Sequence, residues 1–372
     1  MKWIRYLFIL SFLGLLYFPV INNMTGFIVK SYDGIIPQAP RFDIKRLDGF
    51  PKNFENYFDD RLEIKPWLVS VNSNMKIRLL GVSPVPEKVI IGSDGWLYMG
   101  GKTNDEYRGS ILFTNAELLD IRKKLDGRAA YYRDKYGAVT YFFIAPLKHT
   151  IYPEYLPKSV QKINTTTRFD QVMGILEGDT IVHTLDLRQE LIKNKSGHLL
   201  FYKTDNHWND IGGYIAYQKM ASLIRIQFPQ IPQLEPGIFR LDSNVNLIGG
   251  EAEMMNAGNL FSEKRFDYYP TEKCKAQLMP KHGYPTPYGF PFPNDYEIQM
   301  QTGDSSLPNA LIIRDSFGDA LLPLLSENFN RSVFIFDAWE YGINRKIFEA
   351  EKPDLVIYII LESNLDFLLN YE

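Results

Sequence analysis

Ala310-Leu311-Ile312-Ile313-Arg314-Asp315-Ser316-Phe317-Gly318 is the stretch on which the fold class turns. Its apolar, partly β-branched run reads as a strand buried on both faces, and Arg314 to Gly318 reads as a turn into a helix over about 319–329. Working outward, Val333 to Phe336 reads as a strand, about 342–350 as a helix and Leu355 to Leu361 as another strand. On the N-terminal side, Thr114-Asn115-Ala116-Glu117 has capping-box spacing. It opens a helical pattern at Leu118, Ile121, Leu125, Ala129 and Tyr132, which Gly137 closes. A strand over Val139 to Ala145, a second near Thr180 to Leu185 and a helix from about Asp210 to Phe228 continue the alternation. Strands and helices that alternate predict an α/β fold with a parallel sheet flanked by helices.

The 372 residues are 45% hydrophobic and 14% aromatic, enough for a sizeable packed core. A formal charge of -3 with no polybasic run gives no reason to expect nucleic acid as a partner. The single cysteine, Cys274, excludes an intramolecular disulfide and reads as structural. Lys2 and Arg5 precede an uncharged apolar run from Tyr6 to Ile21 with no A-x-A-like cleavage site after it. That pattern predicts a signal-anchor helix over residues 1–25 holding the chain to the inner membrane with the remainder outside the cytoplasm, export after cleavage being the alternative.

Residues 26–85 read as a linker and helical extension, with Gly and Pro over Ser31 to Arg41. Phe54, Phe58, Leu62, Trp67, Leu68, Val71, Met75 and Leu79 then recur at helical spacing and predict two amphipathic helices packed on the main domain. The domain itself is expected over 86–372. It begins with a hairpin in which Val89-Ile90-Ile91 turns through Ser93-Asp94-Gly95 into Trp96-Leu97-Tyr98. The proline-rich stretch from Met279 to Pro293 reads as an irregular surface excursion, its aromatics divided evenly between packing and a sugar-stacking role.

Ser316 on a strand-to-helix turn is where a nucleophile belongs. Asp205-Asn206-His207-Trp208 supplies an acid and a base, so the two strings together point to acyl transfer through Ser316, His207 and Asp205. A spacing of two puts Asp205 and His207 on the same side of an extended segment, so the pair needs a bend to meet. The Ser316 amide is a candidate oxyanion donor, and Asp315 reads as a turn former. Tyr152, Tyr202, Trp208 and Arg314 are candidates for lining a substrate groove. His149, His183, His198 and His282 have no paired ligand spacing, so no metal is expected. No glycine-rich phosphate cradle is present in the sequence, and no cofactor is expected.

Three strings carry a resemblance. Tyr202-Lys203-Thr204-Asp205-Asn206-His207-Trp208-Asn209 is one, and Ile144-Ala145-Pro146 with Ile151-Tyr152-Pro153-Glu154-Tyr155-Leu156-Pro157 is another. With Arg314-Asp315-Ser316-Phe317-Gly318 they resemble the alginate O-acetyltransferase family over most of residues 50–372. The resemblance implies an SGNH-hydrolase-like domain acting in the periplasm in alginate or other exopolysaccharide biosynthesis. It further implies a Ser-His-Asp triad that moves acetyl from a membrane-bound O-acyltransferase partner to polysaccharide hydroxyls. Position by position, it implies Ser316 as nucleophile, His207 as base and Asp205 as its partner. Arg314 stands where SGNH hydrolases usually open with Gly, and the Asp-x-His element precedes the serine as in the family. The short stretch after Glu362 leads to the expectation of a membrane-anchored member without a carbohydrate-binding module. The rival readings are an acetyl esterase with the same triad and an inactive polysaccharide-binding subunit.

Overall fold

Strands Val139–Ala145 (β1), Val182–His183 (β2), Gln277–Met279 (β3), Glu297–Gln301 (β4), Asn309–Arg314 (β5), Arg331–Phe336 (β6) and Leu355–Leu361 (β7) form one sheet in the order β2-β1-β7-β5-β6-β4-β3. These come from a computed structural model that describes residues 2–25, 49–61, 65–234, 237–243, 245–337 and 345–370. The first five strands in that order run parallel, and β4 and β3 add antiparallel at one edge. The sheet is therefore mixed, where the apolar runs alone predicted a parallel one. Glu297-Ile298-Gln299-Met300-Gln301 alternates polar and apolar residues, with Glu297 and Gln299 buried and Ile298 and Met300 half-buried, so no continuous apolar run marks it. β2 is shorter than expected because Asp179 Oδ1 takes the amides of Ile181 and Val182, at 2.6 and 3.1 Å.

Alternate residues of the central strands feed two cores. Tyr141, Phe143, Ile312, Phe334 and Ile357 point one way, and Phe142, Ile144, Leu311, Val333, Val356 and Tyr358 the other. Helix α1 (Asn115–Tyr136) covers the second core with Ile121, Leu125, Ala129 and Tyr132. Its predicted capping box at Thr114 and Glu117 is present, and Gly137 ends it in the left-handed region at φ 73°. A shorter helix, α2 (Arg168–Leu176), has its own capping box at Thr167 and Asp170. Helix α3 (Asp210–Gln227) covers the first core with Ala216, Met220 and Ile224. All seven residues of β7 are buried, and each large apolar side chain so buried contributes about 1.5–3 kcal/mol relative to exposure.

The chain after β5 departs from the single helix expected over 319–329. A 3-10 turn over Ser316–Leu321 is followed by an α-helix over Leu322–Ser326. Asp315 caps the first piece by accepting the Phe317 amide, and Pro323, which has no N–H to donate, stands in the first turn of the second. The next helix spans Arg345–Glu351; residues 342–344 of that expectation lie outside the described residues. The expected hairpin is present as Val89–Ile91 paired with Leu97–Met99, turning through Asp94 and Gly95 at φ 53° and 79°.

The chain groups into two compact units, Met1–Pro84 with Met255–Ala257, and Val85–Met254 with Gly258–Glu372. In the first, helices span Lys2–Thr25, Phe50–Arg61 and Lys65–Met75, the last running on through a π-helical turn over Lys76–Leu80. Phe54, Trp67, Leu68, Met75 and Leu79 are exposed and Val71 is half-buried. Leu62, the linker 31–41 and the side chain of Phe58 lie outside the described residues. The expected anchor is not shown: among the described residues no helix is long and apolar enough to cross a membrane.

Candidate active site

Asp205 and His207, the expected acid and base, share one small loop. Phe201 and Trp208 form an antiparallel bridge, the Tyr202 amide donates to the His207 carbonyl at 3.2 Å, and the Asn209 amide donates to the Leu200 carbonyl at 2.9 Å. Inside it, Asp205 Oδ1 accepts the backbone amide of His207 at 3.0 Å, a side chain bonding the backbone two residues on. That turn supplies the bend the same-side spacing required. The same oxygen lies 2.6 Å from His207 Nδ1, and His207 Nε2 lies 2.7 Å from Ser316 Oγ. The Gly250 amide donates to the other Asp205 oxygen at 2.7 Å.

Ser316 is carried by the sheet. It follows β5 at the carboxyl end of the parallel strands, where open α/β sheets place their ligands. Asp315 is buried and acts through hydrogen bonds, taking the amides of Phe317 and Leu361 at 2.9 and 2.6 Å and the Asn364 side-chain amide at 3.3 Å. The serine turn is thereby tied to the end of β7. α3 packs on the same turn so closely that a Cβ on Gly213 would lie 2.7 Å from Ala320 Cβ. Since α3 begins at Asp210, directly after the 201–208 loop, this contact fixes the loop's distance from the serine.

A polar layer holds the loop from behind. The ammonium of Lys148, fully buried, donates to the carbonyls of Tyr202, Lys203 and Asp205 at 3.3, 3.4 and 2.7 Å and to Glu251 Oε1 at 3.3 Å. Glu263 accepts the amides of Lys203 and Thr204 at 2.9 and 2.6 Å and the Thr204 hydroxyl at 2.7 Å. Gly249 touches the same place: an added Cβ would stand 2.1 Å from the Thr204 carbonyl oxygen.

The electrostatics follow from these contacts. Burial works against a charged Asp205, but the hydrogen bonds from His207 and Gly250 and the imidazolium charge hold its carboxyl well below the usual range. Burial works against a charged His207 too. The hydrogen bond and charge of Asp205, with the charges of Glu251 and Asp315, outweigh it and lift His207 above the ordinary imidazole value. Glu251 is pushed up to about 7, chiefly by burial and against the pull of Lys148. A serine hydroxyl bonded to an imidazole whose other nitrogen is bonded to a carboxylate can surrender its proton as it attacks a carbonyl.

A cavity of about 220 Å³ opens over these groups, lined by Tyr202, Trp208 and Leu247 beside Asp205, His207 and Ser316, with Asp210, Arg265, Asp267, Asp319 and Ala320 completing it. Of the groove candidates, Tyr202 and Trp208 line it. Tyr152 does not: it is buried against Trp96 with ring centroids 4.4 Å apart, and its hydroxyl accepts the Leu200 amide at 3.0 Å. Arg314 is buried behind the turn, 2.8 Å from Asp319 Oδ1 and over the Phe336 ring. Tyr288 and Phe292, in the proline-rich excursion, are exposed away from this lining, while Phe290 packs edge-to-face on Phe336. A larger cavity of about 530 Å³, lined by residues between Met173 and Thr184 and by Leu223, shares no residue with the site. Among the described residues no group of three or more His, Cys, Asp or Glu side chains could hold a metal ion.

The sequence reading missed Lys148, Gly249, Gly250, Glu251 and Glu263. They carry no motif; their meaning comes from segments far apart in the chain converging on one loop.

A sheet with a parallel centre, a serine at the carboxyl end of β5 and a histidine brought to it by another loop define an SGNH-hydrolase-like α/β protein. Solved structures agree on the fold. Bacillus cereus PatB1 with a sulfonyl adduct superposes with a TM-score of 0.57 at 16% identity, covering 77% of this chain and 100% of that one. A DHHW family protein from Eubacterium siraeum gives 0.53 at 14%, covering 76% and 98%. The family model described as the SGNH hydrolase-like domain of acetyltransferase AlgX matches residues 89–277, and the chain belongs to that family. Its relatives include a protein of Pseudomonas aeruginosa described as probable alginate O-acetylase AlgJ. That protein is 24% identical over 224 residues, 60% of this chain and 52% of the relative. The chain thus spans about half the length of the curated relatives it matches.

Proposed function

We propose that this protein is a serine O-acetyltransferase that moves acetyl groups onto hydroxyls of a polysaccharide outside the cytoplasm, with residues 86–372 as its catalytic domain. The observation that carries the reading is the unbroken relay from Asp205 through His207 to Ser316, at 2.6 and 2.7 Å. Ser316 Oγ attacks the carbonyl carbon of an acetyl ester while its proton passes to His207 Nε2, and the donor's oxygen leaves with that proton. The serine acetyl ester remains. A sugar hydroxyl then gives its proton to His207 as its oxygen attacks the acetyl carbon, and Ser316 leaves and recovers the proton. Asp205 keeps the imidazole in the tautomer and orientation both halves require. The donor in this reading is an acetyl group handed over outside the cytoplasm by a membrane-bound O-acyltransferase; the description of the relatives as probable alginate O-acetylases supports the acetyl transfer itself.

The test is to incubate the purified chain with 4-nitrophenyl acetate, with and without polysaccharide. Nitrophenolate release with an acetyl adduct on Ser316, and acetylated sugar when polymer is present, is the expected result. Release that leaves the polymer unmodified and its rate unchanged would make the protein an esterase.

A further inference from the structure

The charge of the cleft bears on what the acceptor can be, an argument that rests on the acetyl-transfer reading above. Six acidic or basic side chains line the cavity: Asp205, His207, Asp210, Arg265, Asp267 and Asp319. Four are carboxylates, and Arg265 is the only permanent cation among the described lining residues. Arg265 is already engaged, its Nε 2.6 Å from Asp267 Oδ1. Asp205 is occupied with His207 and the Gly250 amide. Asp319 has a side chain 63% exposed and is paired at 2.8 Å with the buried Arg314 guanidinium. Asp210 accepts the Tyr268 amide, and burial lifts it to about 6, so at neutral pH it is still mostly ionised.

A carboxylate arriving on a sugar therefore meets like charge, in a recess where protein replaces part of the screening solvent. Sugar hydroxyls meet the opposite situation. They are donors, and Asp210, Asp267 and Asp319 are acceptors whose charge strengthens each hydrogen bond. Trp208 and Tyr202, which line the same recess, are almost fully buried and shape its wall. We infer that the acceptor is a neutral hexose polymer, and that this cleft discriminates against polyuronates, in which every repeating unit carries a carboxylate.

The experiment loads the full chain with 4-nitrophenyl acetate and then offers either neutral β-glucan and mannan oligosaccharides or oligomannuronate of equal length. Acetylated product is counted by mass spectrometry. At low salt, transfer to a neutral oligosaccharide should exceed transfer to oligomannuronate by about tenfold, and 0.5 M salt should narrow that ratio because screening removes the repulsion. Asp210→Asn and Asp319→Asn should each narrow it about threefold, each retaining a hydrogen-bond acceptor while losing the charge. If one variant fails to fold, the other and the salt series still decide. Equal or faster transfer to oligomannuronate at low salt overturns the inference, as does an acetylated enzyme that acetylates no neutral oligosaccharide. Failure of the underlying reading looks different: no nitrophenolate release dependent on Ser316 before any sugar is added.

Discussion

Ser316 stands at the end of β5, a strand that crosses the middle of the sheet with five of its six residues buried, whereas His207 stands in a loop whose shape is held by polar contacts from distant segments. The serine is placed by hydrophobic packing that the whole fold shares. The acid–base pair depends on a few hydrogen bonds: a buried ammonium, two carboxylates and glycines that let backbone approach backbone. Packing spreads the cost of a lost atom over many neighbours, while an orphaned buried charge concentrates it. The two halves of the site should therefore fail differently.

Replacing the serine itself gives the largest effect. Ser316→Ala should lower ester turnover by about 10⁶-fold with the folded state intact, read by steady-state kinetics beside circular dichroism. A variant retaining a tenth of the activity would remove the serine from the chemistry. Asp205→Asn comes next, at about 10⁴-fold or somewhat less, since it disturbs the tautomer and orientation but keeps the geometry. It also carries a pH signature. His207 titrates above its ordinary value, so the neutral base disappears as pH falls through that raised value, and kcat/KM should decline on an acid limb lying above 6.5. Without the Asp205 charge the limb should move to lower pH; an unmoved limb would assign it to another group.

The supporting layer gives the third test and sharpens the contrast most. Lys148→Met and Glu251→Gln should each lose about 3–5 kcal/mol of stability by denaturant titration and lower turnover, while the double variant recovers much of the stability. Full additivity would mean the two do not act as a pair. The smallest effect is expected at Tyr152→Phe. Losing the hydroxyl leaves the Leu200 amide without its acceptor, costing about 1–3 kcal/mol of stability with turnover unchanged. Lost turnover at native stability would restore Tyr152 to the groove.

The same contrast explains what could be read in the sequence. β1, β5, β6 and β7 are apolar runs long enough to betray burial on both faces, and α1 carried its capping box and closing glycine in plain view. Asp205, His207 and Ser316 were legible as residue types in suggestive local settings, though the turn that makes 205 and 207 meet is a side-chain-to-backbone bond with no periodic signature. β4 escaped because alternation over five residues is a weak signal, and β3 because three residues carry almost none. Apart from Cys274, the residues from 237 to 277 were given no reading. They form two-stranded ribbons and one short helix, too brief for periodicity, yet they contribute Gly250, Glu251 and Glu263 to the loop.

The bridge between Phe201 and Trp208 closes Asp205 and His207 into one loop which, with Lys148, Gly250 and Glu263 behind it, makes no use of the serine to hold its shape. Any breathing of the domain that parts α3 from the serine turn would carry acid and base away together, their mutual bond unbroken. In the proposed reaction, transfer would then be gated at a single seam, the imidazole-to-hydroxyl bond, with the His207 ring already oriented when Ser316 returns.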